Sequence, residues 1–328
     1  MHTGNHYKLS EFLWWTRRDI YVIFAWALAV STLYQVLGLS WLATPWVPVA
    51  LVGTAAAFLV GFKNTQTYNR LWEARMIWGA IVNSSRTWGI MARDFVHADT
   101  VVKQQLIYRH CAWLTALRFQ LRKPQSWENS SKSYNKEYQS HFVIPEWTDI
   151  LDEELKKYLS EAELTYVLSK KNRATQLIAL QSKQLKTLRE KGQIEAYEYV
   201  AMENRLADLY DQQGKCERIK NFPYPRQFAS INLFFIWLFV LMLPFGMLNE
   251  FQKLGGHFVW LTVPFSVIVS WVFTAMEKVG EATENPFEGG ANDIPMAALS
   301  RTIEIDLRDM LDETQLPESL APVNKILM

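Results

Sequence analysis

From Ile20 to Phe62 the chain runs for 43 residues without a charged side chain. At about 1.5 Å per helical residue such a run could reach roughly 65 Å, about twice the roughly 30 Å hydrocarbon core of a bilayer. Gly38, Pro45 and Pro48 lie in its middle, where a continuous helix would not tolerate them, so the run reads as two membrane passes joined by a tight hairpin. Two further uncharged windows, 227–249 and 254–276, are bounded by Arg226, Glu250, Lys253 and Glu277, and each is long enough to cross once. The pattern predicts an all-α integral membrane protein with four transmembrane helices in two hairpins, the second turning over 249–257. A polar stretch over residues 1–10, followed by so long an apolar run, argues against a cleaved signal peptide.

Lysine and arginine beside these windows set the orientation. Lys8, Arg17 and Arg18 precede the first pass, Lys63, Arg70 and Arg75 follow the second, and Lys215, Arg218, Lys220 and Arg226 precede the third. The hairpin turns carry a single Lys between them, so the positive-inside bias predicts cytosolic termini and a cytosolic middle region. The chain then divides into a cytosolic N-terminal segment 1–19, a first hairpin 20–62, a helical cytosolic layer 63–226, a second hairpin 227–276 and a cytosolic C-terminal segment 277–328.

Within the middle region, Leu71, Trp72, Ile77, Ile81, Trp88 and Met91 keep helical spacing, so the second membrane helix is expected to run on beyond the membrane edge. Val101–Leu121 reads as another helix, 123–149 as a polar loop, and 152–190 and 194–218 as charged amphipathic helices broken at Lys191-Gly192. Asp293-Ile-Pro295 looks like an N-cap followed by a first-turn proline, opening a helix to about Leu311, and the last 15 residues look like a loosely held tail. No segment shows convincing strand alternation.

Composition alone would suggest a soluble protein: mean hydropathy is −0.07 and charged residues make up 20%. That average mixes very apolar segments with very polar ones, and the local pattern overrides it. A net charge of +1, with basic and acidic residues interspersed, gives no case for nucleic acid as a partner. Cys111 and Cys216 lack metal-binding spacing and read as two buried thiols. Fourteen tryptophans, with Trp14, Trp15, Trp41 and Trp46 at segment ends, match the aromatic belts of membrane interfaces and point to lipid as a partner. Phosphate-binding glycine loops, a serine nucleophile elbow and a zinc-protease helix motif are all missing, so no catalytic, cofactor or metal site is expected.

The second pass is unusual. Gly53–Phe62 is rich in small residues, which allow close helix approach in a membrane, and Thr54, Phe58 and Phe62 fall on one face at i, i+4 and i+8. That face is either a packing or lipid-facing stripe, or the lining of an apolar constriction built from several copies. Pattern alone leaves both open.

The segment Gly61-Phe-Lys-Asn64, then Tyr68, Arg70, Trp72-Glu-Ala-Arg75 and Trp78-Gly79, resembles the bestrophins, specifically their bacterial branch. A second block, Cys216-Glu-Arg218 with Pro223 and Pro225, and a third, Glu281, Glu284-Asn-Pro-Phe287 and Ala291-Asn-Asp-Ile-Pro295, agree in order and spacing over about residues 10–312. The resemblance implies a homopentameric ion channel of the inner membrane, with helices assembled around a central pore and small inorganic ions as its cargo. It places the neck on Thr54, Phe58 and Phe62, and a second, cytosolic aperture at about Tyr197. It also gives structural roles to Arg70, Trp72, Glu73, Arg75, Glu284, Asn285, Pro286, Phe287, Asn292 and Asp293. For Arg70, Trp72, Glu73 and Arg75, intersubunit ion pairing and simple interface anchoring stay equally open.

Two departures matter. Animal members carry an acidic, calcium-clasping cluster after Asn-Pro-Phe, whereas here the stretch Glu288–Asp293 is mostly Gly and Ala, a thin supply for an ion that prefers 6–8 oxygen ligands. Thr54 also stands where other members carry an aliphatic residue, making the outer neck more polar. The family in general implies chloride, and its bacterial branch sodium or potassium, so the sign of the ion is open at this point. The alternative to a channel is a non-conducting membrane sensor or scaffold that binds a partner through its cytosolic helices.

Overall fold

The computed structural model describes residues 1–328 and is all-helical, with two isolated backbone bridges, His2–Ile326 and Val323–Ile326, and no strand. Helices α1 (Leu9–Gln35), α2 (Trp46–Asp94), α3 (Thr100–Arg122), α4 (Ser133–Gln139), α5 (Pro145–Thr148), α6 (Leu151–Lys156), α7 (Glu161–Leu168), α8 (Arg173–Glu190), α9 (Ala196–Asn221), α10 (Arg226–Gln252), α11 (Thr262–Glu284) and α12 (Met296–Asp309) follow in order. The chain resolves into an apolar unit, Gly4–Arg70 with Pro223–Glu284, and a polar unit, Met1–Thr3 with Leu71–Phe222 and Asn285–Met328. Helix α2, 49 residues without a break, supplies residues to both, as its unbroken helical periodicity predicts.

Three segments of the apolar unit are long and apolar enough to cross a membrane: the stretch leading into and along α2 (Ser40–Asp94), α10, and the stretch containing α11 (Gly256–Glu284). Helix α1 differs because Arg17, Arg18 and Asp19 lie inside it, leaving Ile20–Gln35 as its uncharged part. Those 16 residues (35 − 20 + 1) would span only about 24 Å as helix, less than the roughly 30 Å core. The hairpin break falls where glycine and proline demand it: α1 stops at Gln35, Gly38 takes φ +67°, and Pro48 sits in the first turn of α2. Inside the unit α1 packs on α11 and α10, and α10 packs on α11. Ile23, Val49, Ala56, Val60, Ile236, Phe239, Val240 and Leu243 form its main core. Gly53 lets α2 and α10 approach closely, since a Cβ there would stand 2.6 Å from the Phe239 ring.

The polar unit is built around α3, most of which is buried, with α5, α6, α8, α9 and α12 packed against it. Its core takes Trp78 and Trp88 from α2, Leu114 and Leu117 from α3, Leu185 from α8 and Leu307 from α12. The charged groups drawn into this core are paired: Arg109 with Glu163, Arg118 with Glu146, Arg122 with Asp293, and Lys220 with Glu128.

Four sequence expectations need correction here. The stretch 152–190 is three helices, because Ser160 and Asn172 cap new starts by accepting the Glu163 and Thr175 backbone N–H groups at 3.4 and 3.0 Å. The loop expected over 123–149 contains α4 and α5, the latter opened by Pro145 in its first turn. Asp293 does not cap α12; it is buried, accepts the Gly289 N–H at 2.7 Å and pairs with Arg122 at 3.1 Å, leaving Pro295 at the cap position. The C-terminal residues are not a loose tail at their far end, where Ile326 and Met328 are buried and the Ala298 N–H donates to the Met328 carbonyl at 2.8 Å. The break at Lys191-Gly192 stands as expected, with Gly192 at φ +67° and the Gln193 N–H returning to the Leu188 carbonyl at 2.9 Å.

Candidate functional site

Helix α2 has two unlike faces within the apolar unit. Val49, Gly53, Ala56, Val60, Lys63 and Thr67 are buried on one side, spaced by three and four residues as a helix face requires. Thr54, Phe58 and Phe62 lie on the other side and are exposed, Phe58 at 74% and Phe62 at 44%. Only 22% of the apolar window of this span is covered by its own chain, against 44% for α10 and 39% for the α11 span. The Thr54 hydroxyl donates to the Ala50 carbonyl at 2.9 Å, so it spends its proton on its own helix. Phe62 meets Phe228 of α10 with ring centroids 6.3 Å apart at 46°. The three residues singled out in the sequence thus form one uncharged strip that the chain itself leaves open.

Directly behind Phe62 stands a group the sequence reading missed. Lys63 is 2% exposed; its ammonium donates to Glu277 of α11, whose other carboxylate oxygen accepts from the Asn232 amide of α10. The next residue, Asn64, donates its side-chain amide to the Met276 carbonyl at 3.1 Å. Gly280 permits this contact, because a Cβ there would collide with the Asn64 side-chain oxygen. Two consecutive α2 residues therefore tie the inner end of the Phe58/Phe62 face to α11. In the sequence Lys63 and Glu277 register only as charges flanking two apolar windows. The available hint is that opposite charges close the ends of two windows that can lie side by side.

The remaining family-motif residues divide between the units. In the apolar unit the Arg70 Nε donates to the Glu284 carbonyl at 3.0 Å, and the buried Glu284 carboxylate pairs with Arg226. In the polar unit the half-exposed Glu73 pairs with Arg218 of the same chain. Trp72 and Arg75 are exposed and Asn292 is half-buried. Asn285, Pro286 and Phe287 are buried, and the Glu288 carboxylate accepts the Asn129 backbone N–H at 2.8 Å and the Asn285 amide at 3.2 Å. Burial, reinforced by Asp293, pushes the Glu288 carboxyl well above the usual range; burial also raises Asp293, against the opposing Arg122 guanidinium. The oxygens that the sequence offered for calcium are thus engaged in closing their own loop. Tyr197, near the start of α9, is 92% exposed.

Comparison with known proteins places this architecture. Among relatives, the chain is 28% identical over 280 residues to the voltage-dependent anion channel-forming protein YneE of Escherichia coli K12, covering 84% of this chain and 80% of that one. A second relative, the voltage-dependent anion channel-forming protein RSc3414 of Ralstonia nicotianae, is 28% identical over 278 residues, 84% of this chain and 80% of that one. The crystal structure of a bacterial bestrophin homologue from Klebsiella pneumoniae superposes with a TM-score of 0.75 at 25% identity, covering 90% of this chain and 98% of that one. The family model for the bacterial/fungal bestrophin protein matches residues 15–309. The three sequence blocks and the membrane-crossing helices fall inside that match, so this chain is a membrane protein, not an enzyme, and it belongs to the bacterial/fungal bestrophin family.

Proposed function

We propose that the chain assembles as a homopentamer in a bacterial inner membrane and conducts small monovalent anions through a neck lined by Thr54, Phe58 and Phe62, with Tyr197 forming a second constriction. The observation that carries this reading is the bare, apolar face of α2, exposed in the single chain while the opposite face of the same helix is packed. Copies of that face brought around one axis would give a narrow apolar passage that gates by dewetting. Relatives named as anion channel-forming proteins support anions as the cargo. In this reading α1 supplies the fourth membrane pass, and the flanking lysines and arginines keep both termini in the cytosol.

The test is the reversal potential of purified protein in a planar bilayer under an asymmetric NaCl gradient. A value near the chloride potential is expected. One near the sodium potential would keep the channel and overturn its sign, while an absence of current from every preparation would leave the non-conducting sensor in its place. Phe58→Ala and Phe62→Ala are each expected to enlarge single-channel conductance. Unchanged conductance and gating in both would mean that this face does not line the pore.

A further inference from the structure

A cavity of about 200 Å³ lies in the polar unit among α3, α5, α6, α12 and the extended segment carrying Leu320. Drug-sized pockets run from about 300 Å³ upward, so this one suits a small metabolite. Its charged lining is balanced: Arg118, Lys157 and Arg301 face Asp149, Glu154 and Glu304. The site opens to solvent past the exposed Thr148, Asp149 and Lys157, and at its buried end beside Arg118 and Glu304 a ligand with a net charge would leave that balance broken, at a cost that a zwitterion avoids.

The hydrogen-bond inventory narrows the match. Glu304 is nearly saturated, accepting from Tyr158 at 2.9 Å and pairing with Arg301 and Arg308, each at 3.1 Å. Glu154 accepts only from Arg118, at 3.3 Å, and from Lys157, leaving lone pairs open to an ammonium group. On α12 the Ser300 hydroxyl, in a residue 8% exposed, has no hydrogen-bond partner. Its neighbour Arg301 spends Nε on Glu304 and Nη1 on the Glu318 carbonyl at 3.1 Å, which leaves Nη2 uncommitted. The Ser300 hydroxyl oxygen is sealed from the cavity, so the open polar groups that face a ligand are Arg301 and Glu154.

We infer that this cavity is a binding site for a small α-amino-acid zwitterion, its carboxylate held by Arg301 and its ammonium by Glu154. Occupancy would tie α12 to α6 and secure the segment that Leu320 belongs to. The inference concerns binding alone and does not depend on conduction.

The experiment is a thermal-shift titration of the full-length protein in detergent with glycine and serine, using glycolate and ethanolamine as controls that carry one charge each. Glycine or serine is expected to raise the melting temperature in a saturable way, with no saturable rise from either control. Arg301→Gln removes the cationic partner of the carboxylate and is expected to weaken half-saturation about tenfold, the value of one charge-assisted hydrogen bond. Glu154→Gln, which keeps the side-chain volume and removes the charge that faces the ammonium, provides the same readout should Arg301→Gln fold poorly. The inference is overturned if no probe shifts the melt, if glycolate or ethanolamine does as well as glycine, or if both variants respond like the parent.

Discussion

Removing the negative partner from the Lys63–Glu277 pair leaves Lys63, 2% exposed and packed among α2, α10 and α11, without the carboxylate to which its ammonium donates. Breaking a buried ion pair on one side costs about 3–5 kcal/mol, while replacing both partners with apolar residues of similar size is often neutral or stabilising. In Glu277→Gln the hydrogen bonds can be kept. The Asn232 side-chain oxygen has no partner, so a flip of that amide lets it accept from the new Gln while Lys63 still donates to the Gln oxygen. What is lost is the charge, so Glu277→Gln and Lys63→Met should each lower thermal stability sharply, and Lys63→Met with Glu277→Met should recover most of the loss. The assay is the melting temperature of the purified protein in detergent, followed by tryptophan fluorescence and size-exclusion profile. A double variant that loses as much as the two single losses added would refute a coupled pair. Single variants that melt like the parent would show that neither charge is buried in the folded protein.

Two further perturbations test the packing. His110 is fully buried, bonded to Ser85 at 2.8 Å, and burial depresses its pKa from 6.5 to about 3. It is neutral in the fold, so its contribution is complete above pH 6.5 and is lost as pH falls toward 3; about 2 kcal/mol should be gone by pH 5, and His110→Gln should flatten the fall in a pH series of melting curves. Gly53→Ala places a methyl 2.6 Å from the Phe239 ring and should cost about 1–3 kcal/mol of stability in the same assay, with recovery on adding Phe239→Leu; a Gly53→Ala protein as stable as the parent would mean that α2 and α10 are not in close contact.

The sequence carried the features that depend on local chemistry. The hairpin break at Gly38, the stop at Gly192 and the shared face of Thr54, Phe58 and Phe62 each follow from φ preference or helical period, and the structure has all three. The split of 152–190 was also readable, since Ser160-x-x-Glu163 is a capping box, but continuous amphipathic spacing outweighed it. Other features were beyond any local pattern. Asp293 reads as an N-cap until Arg122, distant in sequence, is brought beside it. The tail reads as loose until the Thr3 N–H donates to the Lys325 carbonyl at 2.7 Å and the Leu327 N–H to the Met1 carbonyl at 2.9 Å. Glu277 and Lys63 read as solvated boundary charges because their burial is decided by three helices together.

That last pair bears on how the proposed neck would discriminate between ions. Lys63 is the formal charge nearest the Phe58/Phe62 face along α2, and Glu277 neutralises it on the buried side of the helix. A neck built from this face would therefore present phenyl rings and Thr54 but no net charge, and a passing ion would surrender part of its hydration without a full counter-charge in return. Ions that hold water weakly should then pass more readily than chloride, in the order iodide, bromide, chloride. Bi-ionic reversal potentials measure this order directly. Loss of the order in Phe58→Ala would locate the dehydration step at that ring, while an unchanged order would move it off this face of α2.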